Sequence, residues 1–325
     1  MGSSTASCHC PHETGPEDGP PVLDELARAV SSGAGDDGGA RTGVLLVSHG
    51  SRSPEWRRML LDVHSEVAAE LLAISGVAEV RTAFMEYTEP SIATQLRAFD
   101  ESGVESVVVV PLLLTISDHS FDDIPTICGL SSDPERVAQL GKDKIEVYRA
   151  RADLSFAQLL DFSGLVRTNL ARRVRWIVGR GAGREERGLR DGLVLVGYGS
   201  AEFDDEWNRF FGEIRAFAES ELDVAATTHA WCGHIVGYKR QPIIDAIEEM
   251  RGHADRVIVV PILVAYDPMF QDRIIGRAVA RSPAPEQVLY RPDAILPEPE
   301  VGRWVVEIAR RMAGRAVVER ETSRG

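Results

Sequence analysis

The sequence lacks several features that would point to an exported, membrane-bound or nucleic-acid-binding protein. Its 325 residues include only four cysteines, so no disulfide framework is expected and a reducing cytoplasm is the predicted location. The sequence contains no run of about eighteen apolar residues, so no membrane span is predicted. Residues 1–40 also lack the apolar core of a signal peptide. The net charge of −14 argues against nucleic acid as a partner, because phosphate binding needs clustered lysines and arginines.

Two common catalytic motifs are also absent. Residues 49–52 read His-Gly-Ser-Arg, with one glycine and no lysine, so they do not form a phosphate-binding loop and no nucleotide is predicted. No G-x-S-x-G motif of the hydrolase type is present. The composition, 44% hydrophobic and 26% charged, is that of a soluble globular chain with room for two domains.

The first forty residues differ in composition from the rest of the chain. Residues 1–40 are rich in glycine, serine, proline and acid, which predicts a disordered tail. Within the tail lies Cys8-His9-Cys10-Pro11-His12, a cluster of potential metal ligands. Two interpretations stay open, a metal-capturing arm or a chance cluster, since the spacing matches no tetrahedral zinc pattern.

From Gly43 onward, short apolar runs alternate with helical patterns. Buried β-branched runs followed by amphipathic segments are typical of a parallel sheet with helices on both faces. The predicted strands are Val44–Val47, Val77–Phe84, Val107–Val110 and Ile145–Tyr148, and the predicted helices are Pro54–Ala73, Pro90–Glu101, Pro134–Leu140 and Leu154–Val174.

The pattern repeats after about 150 residues. A Gly- and Arg-rich linker at 176–191 separates residues 43–175 from residues 192–315, where the same strand ends recur. We therefore predict an α/β fold of two tandem similar domains with a cleft between them. The second domain lacks both histidines of the first: Tyr198 replaces His49, and Asp267-Pro268-Met269-Phe270 replaces Asp118-His119-Ser120-Phe121.

Three side chains follow neighbouring strands of the first domain. His49, Glu86 and His119 come after the first, second and third predicted strands. Parallel strands place such residues at one edge of the sheet, where open α/β sheets bind ligands. Two imidazoles and a carboxylate could bind a divalent metal ion and accept protons near neutral pH. The alternative is that the histidines only cap a turn and occupy a polar loop.

A second cluster lies in the C-terminal half. His229, Cys232 and His234 follow a predicted strand at Val224–Thr228. They could form a displaced metal or substrate site, although the spacing is not a standard zinc pattern. Alternatively, they belong to a loop in which Trp231 packs inside.

Three segments resemble a known family. LLVSHGSR at 45–52, AFMEYTEPSI at 83–92 and VVVVPLLLTISDHSFDDIP at 107–125 are similar to the class II tetrapyrrole chelatases of the CbiX/SirB type. The resemblance implies insertion of Co²⁺, Fe²⁺ or Ni²⁺ into a sirohydrochlorin-like tetrapyrrole without a nucleotide. It also implies that His49 and His119 bind the metal and accept protons, and that Glu86 is the acidic partner.

A polyanionic tetrapyrrole, which the resemblance implies as substrate, would need polar and basic partners. The candidates for substrate binding are Ser51, Arg52, Ser117, Lys239 and Arg240. Two other functions stay open: a non-catalytic metal or tetrapyrrole carrier, and a chelatase scaffold that performs other metal-dependent chemistry. The chain is expected to act as a monomer or homodimer.

Overall fold

A computed structural model describes residues 30–31, 41–113, 123–158, 162–181 and 188–324. The strands are β1 (Val30–Ser31), β2 (Thr42–Ser48), β3 (Val77–Phe84), β4 (Ser106–Pro111), β5 (Asp153–Phe156), β6 (Asp191–Gly197), β7 (Ala226–Trp231), β8 (Arg256–Pro261) and β9 (Val288–Tyr290). The α-helices are α1 (Pro54–Leu72), α2 (Ile92–Glu101), α3 (Ile124–Ile127), α4 (Pro134–Lys142), α5 (Phe162–Gly181), α6 (Asp204–Glu221), α7 (Gln241–Arg251), α8 (Arg277–Arg281) and α9 (Pro299–Arg324). A π-helix spans Met269–Gly276.

Two sheets share one topology. The first has the order β1-β3-β2-β4-β5 and the second β7-β6-β8-β9. All their pairings are parallel except that of the two-residue β1, which is antiparallel to β3. Without β1, the order in each sheet is second, first, third and fourth strand. The α/β fold with two similar parallel sheets, which the repeat predicts, is confirmed.

Burial on both faces explains why these strands read as continuous apolar runs. Every residue of β2, β4, β6 and β8 is buried. On one face of the first sheet, residues of β2 and β4 pack with α2 through Leu96 and Phe99. Helix α9 packs on α1 and on β4. Because both faces are covered, the alternation of polar and apolar residues found in half-exposed strands is absent.

Side-chain caps fix where the helices of the first half begin. The Ser53 hydroxyl accepts a hydrogen bond from Trp56 N at 3.3 Å, and Pro54 occupies the first turn of α1. Ser91 caps α2 in the same way by accepting from Thr94 N at 3.2 Å. A serine that accepts one of the unpaired N–H groups of the first turn stabilises the start of a helix.

The predicted fourth strand is wrong. Residues 145–148 form no strand: Ile145 N donates to Leu140 O at the end of α4, and Tyr148 N donates to Ile127 O. Strand β5 is Asp153–Phe156 instead, in parallel register with Ser106–Val109 of β4. The predicted helix Leu154–Val174 therefore begins later, and α5 runs from Phe162 to Gly181. Ile145 and Tyr148 lie in a loop but pack against the core, and for this reason the segment has an apolar pattern that resembles a strand.

The contacts divide the chain into two compact units. The His49 unit contains the described residues up to Leu170, together with Val264–Asp267 and the chain from Ala294. The Tyr198 unit contains the described residues of Ala171–Leu263 and Pro268–Asp293. The two units therefore do not follow a single cut in the chain.

Hydrogen bonds from α5 follow this division, which falls between Leu170 and Ala171. Asn169 Nδ2 donates to Ile295 O at 3.0 Å and to Glu298 Oε2 at 2.7 Å, which ties the returning chain to the His49 unit. Four residues later Arg173 donates to Pro261 O at 2.8 Å and pairs with Asp293 in the Tyr198 unit.

In the part of the chain that the structure describes, no helix is both long and apolar enough to cross a membrane.

Candidate active site

His49 and Glu86 lie side by side at the carboxyl edge of the first sheet. Met85 N donates to Ser48 O at 2.9 Å, and Glu86 N donates to His49 O at 3.1 Å. These bonds continue the pairing of β2 and β3 beyond both strands, so the backbone fixes the two residues opposite each other. The sequence placed both residues at this edge, and the structure brings their side chains together.

The His49 imidazole has an oxygen near each ring nitrogen. Nε2 lies 3.0 Å from Glu86 Oε1, and Nδ1 lies 3.1 Å from Gly50 O. The His49 side chain is 33% exposed and that of Glu86 is 12% exposed. Two neighbouring oxygens suit an imidazole that carries a proton on both nitrogens. The arrangement can therefore accept a proton at Nε2 and hold it beside a carboxylate.

Gly50 is required by the close approach of the two strand ends. Its φ is +103°, and a Cβ at this position would lie 2.1 Å from the carbonyl oxygen of Glu86. Real Cβ atoms essentially never approach a neighbour within 3.0 Å. A side chain at residue 50 would therefore push the Glu86 backbone away from His49.

Tyr87 and Arg52 border the same edge. The Tyr87 ring centroid lies 6.1 Å from that of His49, and the Arg52 guanidinium carbon lies 5.4 Å from the Tyr87 ring centroid. Tyr87 has a φ of 69°, which is uncommon for a residue other than glycine. Arg52 is exposed, so a cation is available beside the His49–Glu86 pair.

The Ser51 hydroxyl is hydrogen-bonded within the protein, and its role in substrate binding stays a prediction. The side chain is 7% exposed. Its Oγ donates to Asp267 Oδ2 at 3.0 Å and accepts from Ser53 N at 3.0 Å. The Ser51 carbonyl accepts from Arg57 Nη1 at 2.8 Å. The residue thus holds the turn after β2 in place.

Several predicted site residues lie outside the described residues. These are His119 and Ser117, and Cys8, His9, Cys10 and His12 of the tail. Among the described residues, no group of three or more histidine, cysteine or acidic side chains is placed to hold a metal ion. The described part of the site is therefore a histidine–carboxylate pair.

The second sheet repeats the backbone of this site without its chemistry. Cys232 N donates to Gly197 O and Gly233 N donates to Tyr198 O, both at 2.9 Å. This is the pairing that Met85 and Glu86 make with Ser48 and His49. Tyr198 therefore stands in the place of His49, and Gly233 in the place of Glu86.

The second cluster, for which a metal or substrate site and a packed loop were both open, does not gather its side chains into one group of possible metal ligands, because its members contact different surroundings. His229 Nε2 lies 3.2 Å from Asn208 Oδ1, and its ring packs against Phe211 of α6. Cys232 is fully buried in the core with α7, and burial raises the pKa of its thiol, so the thiolate that metals bind is disfavoured. The His234 ring instead packs on Tyr198, with centroids 5.4 Å apart.

Lys239 and Arg240 lie in the Tyr198 unit. They follow a short 3₁₀ turn at His234–Val236. Lys239 is exposed, and Arg240 Nε donates to Arg273 O at 2.9 Å. Their role in substrate binding stays a prediction.

Asp267 and Tyr87 are the residues that sequence reasoning passed over. The repeat aligns Asp267 with Asp118, but without coordinates nothing linked its carboxylate to Ser51. Tyr87 directly follows Glu86, and only the turn geometry brings its ring near His49. The position of Asp267 in the repeat was the one signal that could have singled it out.

Comparison with known proteins gives consistent matches. The CbiX family model matches residues 43–175. A sirohydrochlorin cobaltochelatase of Saccharolobus solfataricus is 30% identical over 132 residues, which is 41% of this chain and 92% of that protein. One from Methanococcoides burtonii is 36% identical over 95 residues, which is 29% of this chain and 68% of that protein.

Solved structures show the same fold over most of the chain. The sirohydrochlorin chelatase SirB from Bacillus subtilis subspecies spizizenii, in complex with cobalt, has a TM-score of 0.57 and 20% identity, covering 84% of this chain and 96% of that one. SirB from Bacillus subtilis with Fe³⁺ has a TM-score of 0.55 and 21% identity, covering 85% and 97%. The family match and the Saccharolobus solfataricus relative show that the chain belongs to the CbiX family of class II chelatases.

Proposed function

We propose that this protein inserts a divalent metal ion into a sirohydrochlorin-like tetrapyrrole, with Co²⁺, Fe²⁺ and Ni²⁺ as candidate ions and without a nucleotide. The names of its relatives support the reaction class. The observation that supports a site in the first half is the pairing of His49 Nε2 with Glu86 Oε1 at 3.0 Å. The second half has Tyr198 and Gly233 at the equivalent places.

The chemistry requires two proton acceptors. When a divalent ion enters the macrocycle, two pyrrole N–H bonds break and two protons leave. The two positive charges of the ion replace those of the two protons, so the net charge of the macrocycle does not change. A neutral His49 imidazole can accept one of these protons at Nε2, and Glu86 then faces the imidazolium as its counter-ion. We assign the second imidazole to His119, which lies outside the described residues. The same two histidines are proposed to deliver the ion.

Substrate carboxylates would need basic side chains as partners. Arg52 is the candidate in the His49 unit, because it is exposed and lies over Tyr87 beside His49. Lys239 and Arg240 are retained as candidates from the C-terminal half, and so is Ser117, which lies outside the described residues. Under this proposal, residues 43–175 perform the chemistry and residues 192–315 form a degenerate repeat.

The decisive experiment is anaerobic incubation of the protein with sirohydrochlorin and each ion in turn, followed by absorbance. Turnover of many equivalents with at least one ion supports the proposal. A change that stops at one equivalent would instead indicate a carrier. No change with any of the three ions would overturn the proposal.

A matched pair of variants tests the assignment to the first half. His49→Ala should lower the rate of metal insertion about a hundredfold or more, as expected for loss of a general base. Tyr198→Ala removes the side chain at the equivalent place in the repeat and should leave metal insertion largely intact. If the His49 variant turns over normally and the Tyr198 variant is inactive, the chemistry belongs to the other half.

A further inference from the structure

A carboxylate from the C-terminal half of the sequence reaches the turn that carries His49. Asp267 follows β8 in the chain, yet Val264–Asp267 belongs to the His49 unit. Asp267 Oδ2 accepts a hydrogen bond from Ser51 Oγ at 3.0 Å, and the two residues are 6% and 7% exposed. A hydrogen bond between a buried hydroxyl and a buried carboxylate is among the stronger ones in proteins.

Ser51 is held from other directions as well. Its Oγ accepts from Ser53 N, and its carbonyl accepts from Arg57 Nη1 in α1. The segment that carries Asp267 is anchored to the same helix, since Tyr266 N lies 3.3 Å from Met59 Sδ. The Ser51 hydroxyl therefore has little freedom to rotate away from Asp267. The backbone that runs from His49 to Ser51 is thus held in place at Ser51.

The internal repeat shows how the surroundings of this carboxylate differ from those of its counterpart in the first half. Asp118-His119 of the first half corresponds to Asp267-Pro268 in the second. A proline at residue 268 leaves no imidazole beside Asp267 to orient. The carboxylate instead bonds to a residue two positions after His49.

We propose that Asp267 is a positioning residue, which acts through Ser51 to hold the His49 imidazole against Glu86. Its activity readout rests on the proposed chelatase function. Asp267 touches neither substrate nor metal ion in this scheme. It fixes the turn that begins at the end of β2, so that His49 Nε2 stays within reach of the Glu86 carboxylate.

The effect should match that of partners that orient catalytic or metal-binding side chains. Asp267→Ala should lower kcat for metal insertion about 10- to 100-fold, with little change in KM for the tetrapyrrole. Asp267→Asn keeps an oxygen that accepts from Ser51 and should retain most of the rate. Because Asp267 acts through Ser51, Ser51→Ala combined with Asp267→Ala should lose no more rate than the worse of the two single variants.

The experiment measures these variants at a temperature at which all are folded by circular dichroism. Asp191→Asn is the stability control, because Asp191 is a buried carboxylate in the Tyr198 unit. A second readout does not depend on activity: the ¹⁵N resonances of the His49 ring, assigned by their loss in His49→Ala. These resonances should shift in Asp267→Ala and stay unchanged in Asp191→Asn.

The outcomes separate the two proposals. If the wild type turns over, and Asp267→Ala has the wild-type kcat and the wild-type His49 resonances, only the positioning role is overturned. A wild type inert toward every ion would overturn the chelatase function, and the His49 resonances would still decide the positioning role. Equal losses in Asp267→Asn and Asp267→Ala would also contradict it, since the retained acceptor should restore the turn.

Discussion

Replacing Gly50 by alanine gives a sharp test of how the site is built. Gly50 has a φ of +103°, and an added Cβ would lie 2.1 Å from the backbone oxygen of Glu86. Backbone cannot rotate aside as a side chain can, so the ends of β2 and β3 must separate. The hydrogen bond from Glu86 N to His49 O, 3.1 Å long, then lengthens or breaks.

Gly103 provides the matched control. Its φ is +74°, but an added Cβ there would have nothing within 4 Å. Gly103→Ala should therefore lower the free energy of unfolding by about 1–2 kcal/mol, the cost of the left-handed conformation alone. Gly50→Ala has at least that conformational cost, because its φ of +103° lies further from the left-handed region, and it also loses a backbone hydrogen bond, so it should lower stability by at least roughly 2–3 kcal/mol.

Urea unfolding followed by circular dichroism measures both losses, and anaerobic metal insertion measures the site. At a temperature at which both variants are folded, Gly103→Ala should keep the wild-type rate. Gly50→Ala should lose most of it, because His49 and Glu86 move apart. If Gly50→Ala is no less stable than Gly103→Ala and inserts metal normally, the close approach at Gly50 does not organise the site.

Two further predictions concern stability. Burial lowers the pKa of His64, whose Nδ1 lies 3.0 Å from Thr82 Oγ1, so the folded state resists protonation there. Stability should then fall as the pH drops below the unfolded value of about 6.5, by at most about 1.4 kcal/mol per pH unit for this group, and His64→Gln should flatten that slope in urea titrations at pH 5 to 8. Arg256 and Asp191 form a buried bidentate pair, with Nε–Oδ1 at 2.7 Å. Arg256→Ser should cost roughly 3–5 kcal/mol in urea unfolding, and adding Asp191→Thr should recover most of it; an equally unstable double variant would contradict this account.

The second of these predictions follows from the repeat. Thr42 and Ser106 begin β2 and β4, as Asp191 and Arg256 begin β6 and β8. The hydroxyls of Thr42 and Ser106 lie 3.0 Å apart and are buried. The first half thus fills the same place with a neutral pair, which is why the neutral double variant should be tolerated where a lone buried charge is not.

Most of the fold could be predicted from the sequence because its strands are buried on both faces. Four consecutive valines at 107–110 have few alternatives to a central parallel strand, and the recurrence of such runs gives the second sheet. The edge strand was not predictable in this way. β5 contains Asp153 and Ser155, whereas the loop at Ile145–Tyr148 has the stronger apolar pattern, and only pairing with β4 decides between them.

The candidate site divides in the same way. His49 and Glu86 follow buried strands, so strand position alone places them at one edge. The cluster at His229–His234 begins within β7 and continues past its end, and its members do not come together because successive residues of an extended chain face opposite sides of the sheet. His229 and Trp231 turn toward α6, whereas Cys232 enters the core with α7. Neither the spacing of these residues nor their position in the repeat shows which way each side chain points. The buried hydrogen bond from Ser51 to Asp267 was not predictable either, because it joins residues from different halves of the sequence.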